Sequence, residues 1–359
     1  MKTGFLKLET GEQFKGELLG DLTGSSGEVV FHTSMTGYQE ILTDPSYMGQ
    51  IIVFSYPLIG NYGIMDGFNE SQRPYVKGMV AGEICTESSH FAQTGALIDL
   101  LDQFGIPALT GVDTRALVKT IRHRGTVQGV ISDRLSEDFS FQAESNLFHQ
   151  VTTTKIEQFA NPGPHVVLLD YGYKKSIVDY LLKCKCKVTV VPYHEPLERI
   201  MAMQPDGIVI SNGPGNPADA IQHLPKIRKL TNLYPTMGIC LGHQLIAMAY
   251  GAKTTKLPFG HRGGNHPVKD MKTGKVYMTS QNHGYVVIDQ TIDQTLFTIS
   301  YQHINDGSIE GLVHKEKPIM TIQFHPEAHP GPQDTEFIFM QFLQQMKSSH
   351  WGGVSYAIQ

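Results

Sequence analysis

Apolar and polar residues alternate in two short runs over residues 5–18, broken around Gly11, a pattern that predicts a β-hairpin at the start of the chain. Further strand-like runs follow at residues 28–32, 50–55 and 78–84. Residues 95–104 and 113–122 carry helical spacing, with Asp113 or Thr114 as the cap. The first half therefore reads as α+β. Between residues 139 and 164 the apolar pattern fades into polar, Thr-rich sequence that ends in the breakers Asn161-Pro162-Gly163-Pro164. Beyond it the rhythm changes. Residues 165–170 form a continuous apolar strand, residues 175–184 a helix, and residues 187–191 and 207–210 two more strands. Strands alternating with helices imply a parallel sheet, and ligands bind at the carboxyl ends of such strands. The expected class is α/β: an N-terminal α+β domain (1–155), a linker (156–164), an open, mostly parallel-sheet domain (165–348) and a C-terminal tail (349–359).

Composition narrows the function. The 359 residues are 40% hydrophobic and 18% charged, enough apolar surface for two ordinary cores. Lys plus Arg total 29 against 34 acidic residues, so no broad basic surface is available for nucleic acid. The start, Met1-Lys2-Thr3-Gly4-Phe5, is no secretory signal, and no run approaches the ~20 apolar residues of a membrane span. A cytoplasmic protein is expected, with its four cysteines as reduced thiols.

One of those thiols sits in a distinctive setting. Gly238-Ile239-Cys240-Leu241-Gly242 joins a short strand to a helix with the Gly-x-nucleophile-x-Gly spacing of a nucleophile elbow. The helix N-terminus favours thiolate there, because unpaired amides stabilise negative charge. The blander alternative is a small buried hydrophobe, which is what most free cysteines are. A nucleophilic thiol needs a proton relay, and His325-Pro326-Glu327 follows the strand-like residues 319–324, placing an imidazole and an acidic partner at the same sheet edge. A surface histidine beside an incidental carboxylate is the competing explanation. His325 and His329 do not suggest a metal pair, since Pro326 and Pro330 interrupt any helix; no metal site is expected. Cys184 and Cys186 read as packing thiols. The loop Ser211-Asn212-Gly213-Pro214-Gly215-Asn216-Pro217 can offer backbone donors to an oxyanion, with the Gly213 and Leu241 N–H groups as the candidate pair; alone it is also an ordinary turn.

In that order, Ser211-Asn212-Gly213-Pro214-Gly215, Gly238-Ile239-Cys240-Leu241-Gly242-His243-Gln244 and Phe324-His325-Pro326-Glu327 resemble the class I (triad) glutamine amidotransferases. The segments beginning Phe259-Gly260-His261 and Thr279-Ser280-Gln281, and the stretch from Met35 to Tyr47, are similar in particular to the small-subunit family of carbamoyl phosphate synthetase. The resemblance covers essentially the whole chain. It implies that Cys240 attacks the glutamine amide, with His325 and Glu327 as the rest of the triad. It further implies that Ser46, Gly213, Gly215, Leu241, Gln244, Asn282, Gly284 and Tyr285 contact L-glutamine. A large subunit is the implied partner, carrying the ATP and magnesium chemistry, with no cofactor in this chain; a higher oligomer of such heterodimers is allowed. In keeping with this, no Gly-x-x-x-x-Gly-Lys-Ser/Thr phosphate loop occurs. Two positions depart from the family: Tyr285 where many relatives have Phe, and Ser176 where Asn is expected, which leaves the role of Lys174 open. The rivals are another amidotransferase subunit, a free-standing γ-glutamyl hydrolase, or a thiol-based sensor.

Overall fold

The computed structural model describes residues 2–20, 24–134, 141 and 144–348; the tail over residues 349–359 lies outside them. The hairpin at the start forms as β1 (Lys2–Leu8) and β2 (Gln13–Leu19), Lys7 pairing with Gln13 across the turn at Gly11. Continuing the first unit are β3 (Ser25–His32), α1 (Tyr38–Thr43), β4 (Gln50–Phe54), β5 (Leu58–Ile59), β6 (Gly78–Val80), β7 (Glu83–Ile84), α2 (Leu97–Phe104), β8 (Ala108–Thr110), α3 (Thr114–Arg124) and β9 (Val127–Ser132). Seven of these strands close into a barrel in the order β1-β2-β8-β6-β4-β3-β9. Closure removes the exposed edges that an open sheet would leave. The run at residues 78–84, read as one strand, splits: β6 belongs to the barrel, whereas β7 pairs with β5 in a separate two-stranded sheet. Helix α3 starts where Asp113 Oδ1 accepts the Ala116 N–H at 2.9 Å, a side-chain cap for an otherwise unpaired amide.

The second unit comprises α4 (Leu147–Val151), β10 (Glu157–Phe159), β11 (His165–Asp170), α5 (Lys175–Lys183), β12 (Lys187–Pro192), α6 (Leu197–Ala202), β13 (Gly207–Ile210), α7 (Leu224–Leu233), β14 (Thr236–Ile239), α8 (Leu241–Ala249), β15 (Thr254–Asp270), β16 (Val276–Val287), β17 (Phe297–His303), β18 (Ile309–His314), β19 (Ile319–Ile322) and α9 (Phe337–Ser348). Its sheet runs β10-β12-β11-β13-β14-β19-β18-β17-β15-β16. The centre, β12-β11-β13-β14-β19, is parallel. An antiparallel flank, β18-β17-β15-β16, extends it on one side. Within the stretch read as a linker, β10 pairs antiparallel with β12 at the opposite edge.

Burial on both faces explains the continuous apolar strands. In β11, Val167 and Leu169 join Ile208, Ile210, Ile227 and Leu245 in one cluster, while Val166 and Leu168 join Val209, Ile239, Phe339 and Phe342 in the other. Each such side chain contributes about 1.5–3 kcal/mol on burial. That rigid double layer fixes the carboxyl ends of β13, β14 and β19, and the barrel docks directly over them. Lys175 N–H donates to Glu70 O at 2.8 Å, Thr33 N–H to Arg262 O at 3.3 Å, and Lys256 Nζ pairs with Glu28 Oε1 at 2.6 Å across the junction. Among the described residues no helix is long and apolar enough to cross a membrane.

Candidate active site

Cys240 occupies the single residue between β14 and α8, with φ 53° and ψ −102°, a conformation that costs a non-glycine residue about 1–3 kcal/mol. Its surroundings impose it: Cys240 N–H donates to Ile322 O at 2.8 Å, and Gly242 N–H to Ser211 O at 3.1 Å. The flanking glycines are required by contact. A Cβ at Gly242 would stand 2.1 Å from Ile210 O, and one at Gly238 2.7 Å from Gly242 O. The turn is thus too tight for a side chain at either glycine. Cys240 Sγ lies 3.6 Å from both Asn282 O, to which it donates, and Gln323 Nε2, which donates to it.

His325 leaves the end of β19, its N–H held by Ser280 O at 2.9 Å. Its Nδ1 lies 2.6 Å from Glu327 Oε1, and both side chains are buried. Lys174 Nζ is 3.3 Å from the same oxygen and also donates to Ala328 O. Burial opposes charge on His325, yet the Glu327 carboxylate and the neighbouring Cys240 thiol outweigh it and raise its pKa to about 10. Burial likewise opposes charge on Glu327, but Lys174 and His325 hold its carboxyl down at about 2. The site therefore favours a carboxylate-imidazolium pair beside the thiol, with His325 Nδ1 on Glu327 and the buried Nε2 on the opposite edge of the ring.

The thiol opens into a cavity of about 320 Å³ lined from both units. Ser46, Gly213, Gly215, Leu241, Gln244, Asn282, Gly284 and Tyr285 all line it, together with Cys240. His325 and Glu327 lie outside that lining. Leu241 opens α8, so its N–H has no intrahelical acceptor. A Cβ at Gly213 would meet Tyr171 O at 2.2 Å, which explains glycine beside the elbow. Gln244 Nε2 donates to Tyr285 O at 2.8 Å and Gln323 Oε1 at 2.9 Å, so that part of its amide ties α8 to the sheet.

Several residues that no sequence motif marks for the role hold these groups in place. Asp44 caps the short turn Pro45–Tyr47, its Oδ1 accepting from Ser46 N–H at 2.8 Å, while its Oδ2 accepts from Asn282 Nδ2 at 3.1 Å. Asn212 Nδ2 donates to Ser46 Oγ at 2.8 Å. One carboxylate and one amide thereby join the barrel to the sheet at the cavity wall. Both fall inside the quoted motifs, but their partners are distant in sequence, and no local signal pairs them. Ser176, the departure from the family pattern, gives its N–H at 3.1 Å and its hydroxyl at 2.7 Å to Glu70 Oε2. His329 Nδ1 stands 3.8 Å from Glu70 Oε1. Cys186 is buried in the core, and Cys184 Sγ is 3.7 Å from Met340 Sδ; all four cysteines are free.

Residues 6–131 match the family described as carbamoyl-phosphate synthase small chain, CPSase domain, and residues 167–345 match glutamine amidotransferase class-I. The chain is 52% identical over 344 residues to the carbamoyl phosphate synthase arginine-specific small chain of Bacillus subtilis (strain 168), covering 96% of this chain and 97% of that relative. It is 45% identical over 340 residues to the carbamoyl phosphate synthase small chain of Caldanaerobacter subterraneus subsp. tengcongensis, covering 95% of each. Among solved structures, a glutamine amidotransferase from Thermotoga maritima aligns with a TM-score of 0.37 and 17% identity, over 46% of this chain and 76% of that one.

Proposed function

Since the chain belongs to the carbamoyl-phosphate synthase small-chain family, a glutamine-hydrolysing subunit, we propose that it works through a Cys240 thioester and delivers ammonia to an ATP-using large subunit. The observation that carries this reading is the 2.6 Å His325–Glu327 contact beside a thiol that opens into a cavity lined by Ser46, Asn282 and the glycines of two loops.

The Cys240 thiolate attacks the side-chain amide carbon of L-glutamine. The carbonyl oxygen gains the electron pair and is received by the Gly213 and Leu241 N–H groups. His325 passes a proton to the amide nitrogen, the C–N bond breaks, and ammonia leaves a γ-glutamyl thioester on Sγ. Water then gives His325 a proton as it attacks the thioester, and glutamate departs with the thiol restored. Glu327 holds the imidazole in register and balances its charge. Ser46, Gln244, Gly215, Gly284 and the backbone of Tyr285 hold the amino-acid end of glutamine, with Asn282 between them and the thiol.

Ammonia released into neutral water would be protonated and lose its nucleophilic lone pair, so its product goes to the large subunit by an enclosed route. There ATP and magnesium activate bicarbonate, and carbamoyl phosphate forms; this chain carries no cofactor of its own. The arginine-specific names of the relatives at 50–52% identity favour arginine synthesis as the destination.

Acid quenching of the two-subunit complex during turnover of labelled glutamine tests the thioester. Label on the peptide that contains Cys240 is expected. Turnover with the label on another residue, or with no covalent label even when hydrolysis of the intermediate is slowed, would overturn the mechanism.

A further inference from the structure

Strand β16 supplies Asn282, Gly284 and Tyr285 to the cavity, and a run of buried polar side chains holds that strand in place. Glu310, on β18, is wholly buried. Its Oε2 accepts from Gln281 Nε2 at 2.7 Å, Gln281 Oε1 lies 2.9 Å from His283 Nε2, and His283 Nδ1 lies 2.9 Å from Tyr285 O, the oxygen that also receives Gln244 Nε2; burial and the neighbouring His261 keep His283 neutral, so its single N–H donates to one of those two oxygens. A carboxylate this deep needs a compensating charge. His261 stands where it can supply one. Its Nε2 is 2.8 Å from Asp306 Oδ2 and its Nδ1 3.8 Å from Glu310 Oε1, with the rings of His266, His283 and His303 packed around it.

We propose that His261, held between Asp306 and Glu310, is a positioning residue for glutamine: through Glu310 and Gln281, the residue next to Asn282 on β16, it fixes residues 282–285 against the cavity. It rests on the cavity being the glutamine site. Burial disfavours charge on His261, but the two carboxylates prevail and raise its pKa to about 9, so the ring is a cation at neutral pH. Without that cation, Glu310 is a buried carboxylate with no compensating charge beside it, and its hold on the Gln281 amide loosens. Misplacement of a binding edge by a fraction of an ångström weakens substrate binding first.

The same histidines, with Glu310, bring ligand-type nitrogen and carboxylate oxygen atoms within 4.8 Å of one another in two groups, His261/His266/His303 and His261/His283/Glu310. Hydrogen bonding accounts for that approach: His266 Nδ1 and His303 Nε2 pair with each other at 3.2 Å, and His261 stacks on His303 at 4.4 Å with rings 22° apart, a poor arrangement for two ligands of one ion.

The test uses the two-subunit complex carrying His261→Gln or Asp306→Asn. For His261→Gln the KM for glutamine is expected to rise about 10- to 50-fold with kcat within about threefold, and for Asp306→Asn by about three- to tenfold. Protection of Cys240 from iodoacetamide by glutamine should weaken by the same factors, while alkylation without glutamine keeps its rate. Should His261→Gln fail to fold, the half-exposed Asp306→Asn decides the question. An active wild type with an unchanged KM in the folded variants overturns the proposal alone; a wild-type complex that does not hydrolyse glutamine overturns the assignment of the cavity. Stoichiometric metal in the purified protein also overturns it, because the cluster would then hold an ion rather than a proton.

Discussion

Lys174 Nζ lies 3.3 Å from Glu327 Oε1, both side chains sealed from solvent, so the acidic member of the Cys240–His325–Glu327 array faces a buried cation as well as an imidazole. Of the groups that lower the Glu327 pKa, Lys174 contributes most. Removing one partner of a buried pair costs about 3–5 kcal/mol, because the other charge is left uncompensated.

Lys174→Met should therefore raise the Glu327 pKa. The carboxylate must be ionised to pair with His325, so the acidic limb of the glutaminase pH–rate profile is expected to move to higher pH, with a lower maximum. Measured profiles of wild type and variant decide it, and coincident acidic limbs would contradict the role given to Lys174.

Glu70 offers a stability test with a definite sign. Burial raises its pKa from 4.5 to about 7, against the pull of Lys174 and Ser176. The folded state thus binds this proton more tightly than the unfolded chain does. Between pH 4.5 and 7 unfolding releases it, and rising pH favours the unfolded state until the penalty is complete above about 7. Glu70→Gln should relieve a penalty on the order of 1–3 kcal/mol at pH 8 and little at pH 4.5. Thermal unfolding at both values checks this. A variant shift of equal size at both would show that the carboxyl does not titrate as described.

Gly242→Ala would place a methyl 2.1 Å from Ile210 O. Backbone cannot yield there without moving β13 or the elbow, so a loss of about 1–3 kcal/mol or more is expected, with slower alkylation of Cys240 by iodoacetamide. An unchanged melting temperature and alkylation rate would mean that the turn is looser than its contacts indicate.

Asp44→Ala removes acceptors from both Ser46 N–H and the Asn282 side chain. A buried donor left unpaired costs about 1–3 kcal/mol, and here it loosens the wall shared by barrel and sheet. The KM for glutamine should rise by about tenfold or more. Steady-state glutaminase assays read it, and a KM equal to wild type would sever this contact from glutamine binding.

What could be read in the sequence was local. The hairpin at Gly11, the α3 cap at Asp113, the continuous strand β11 and the Cys240 elbow each follow from neighbours a few residues apart, where spacing and backbone chemistry suffice. The split of residues 78–84 into β6 and β7 was hidden because apolar strands of either sheet look alike. Barrel closure depends on which strands pair, and that information is not carried by period. The cavity shows the same division. Motif resemblance pointed to Ser46 and Asn282, whereas the Asp44 and Asn212 bonds that hold them, and the Glu310–Gln281–His283 run behind β16, join residues far apart along the chain.

That Cys240 hydrolyses glutamine in order to supply ammonia to another subunit is what we propose. Its most direct test is carbamoyl phosphate synthesis by the two-subunit complex carrying Cys240→Ser, measured with glutamine and again with added ammonia. Glutamine-dependent synthesis should fall to background while ammonia-dependent synthesis persists. Retention of the glutamine-dependent rate, or equal loss of both activities in an intact complex, would contradict the account.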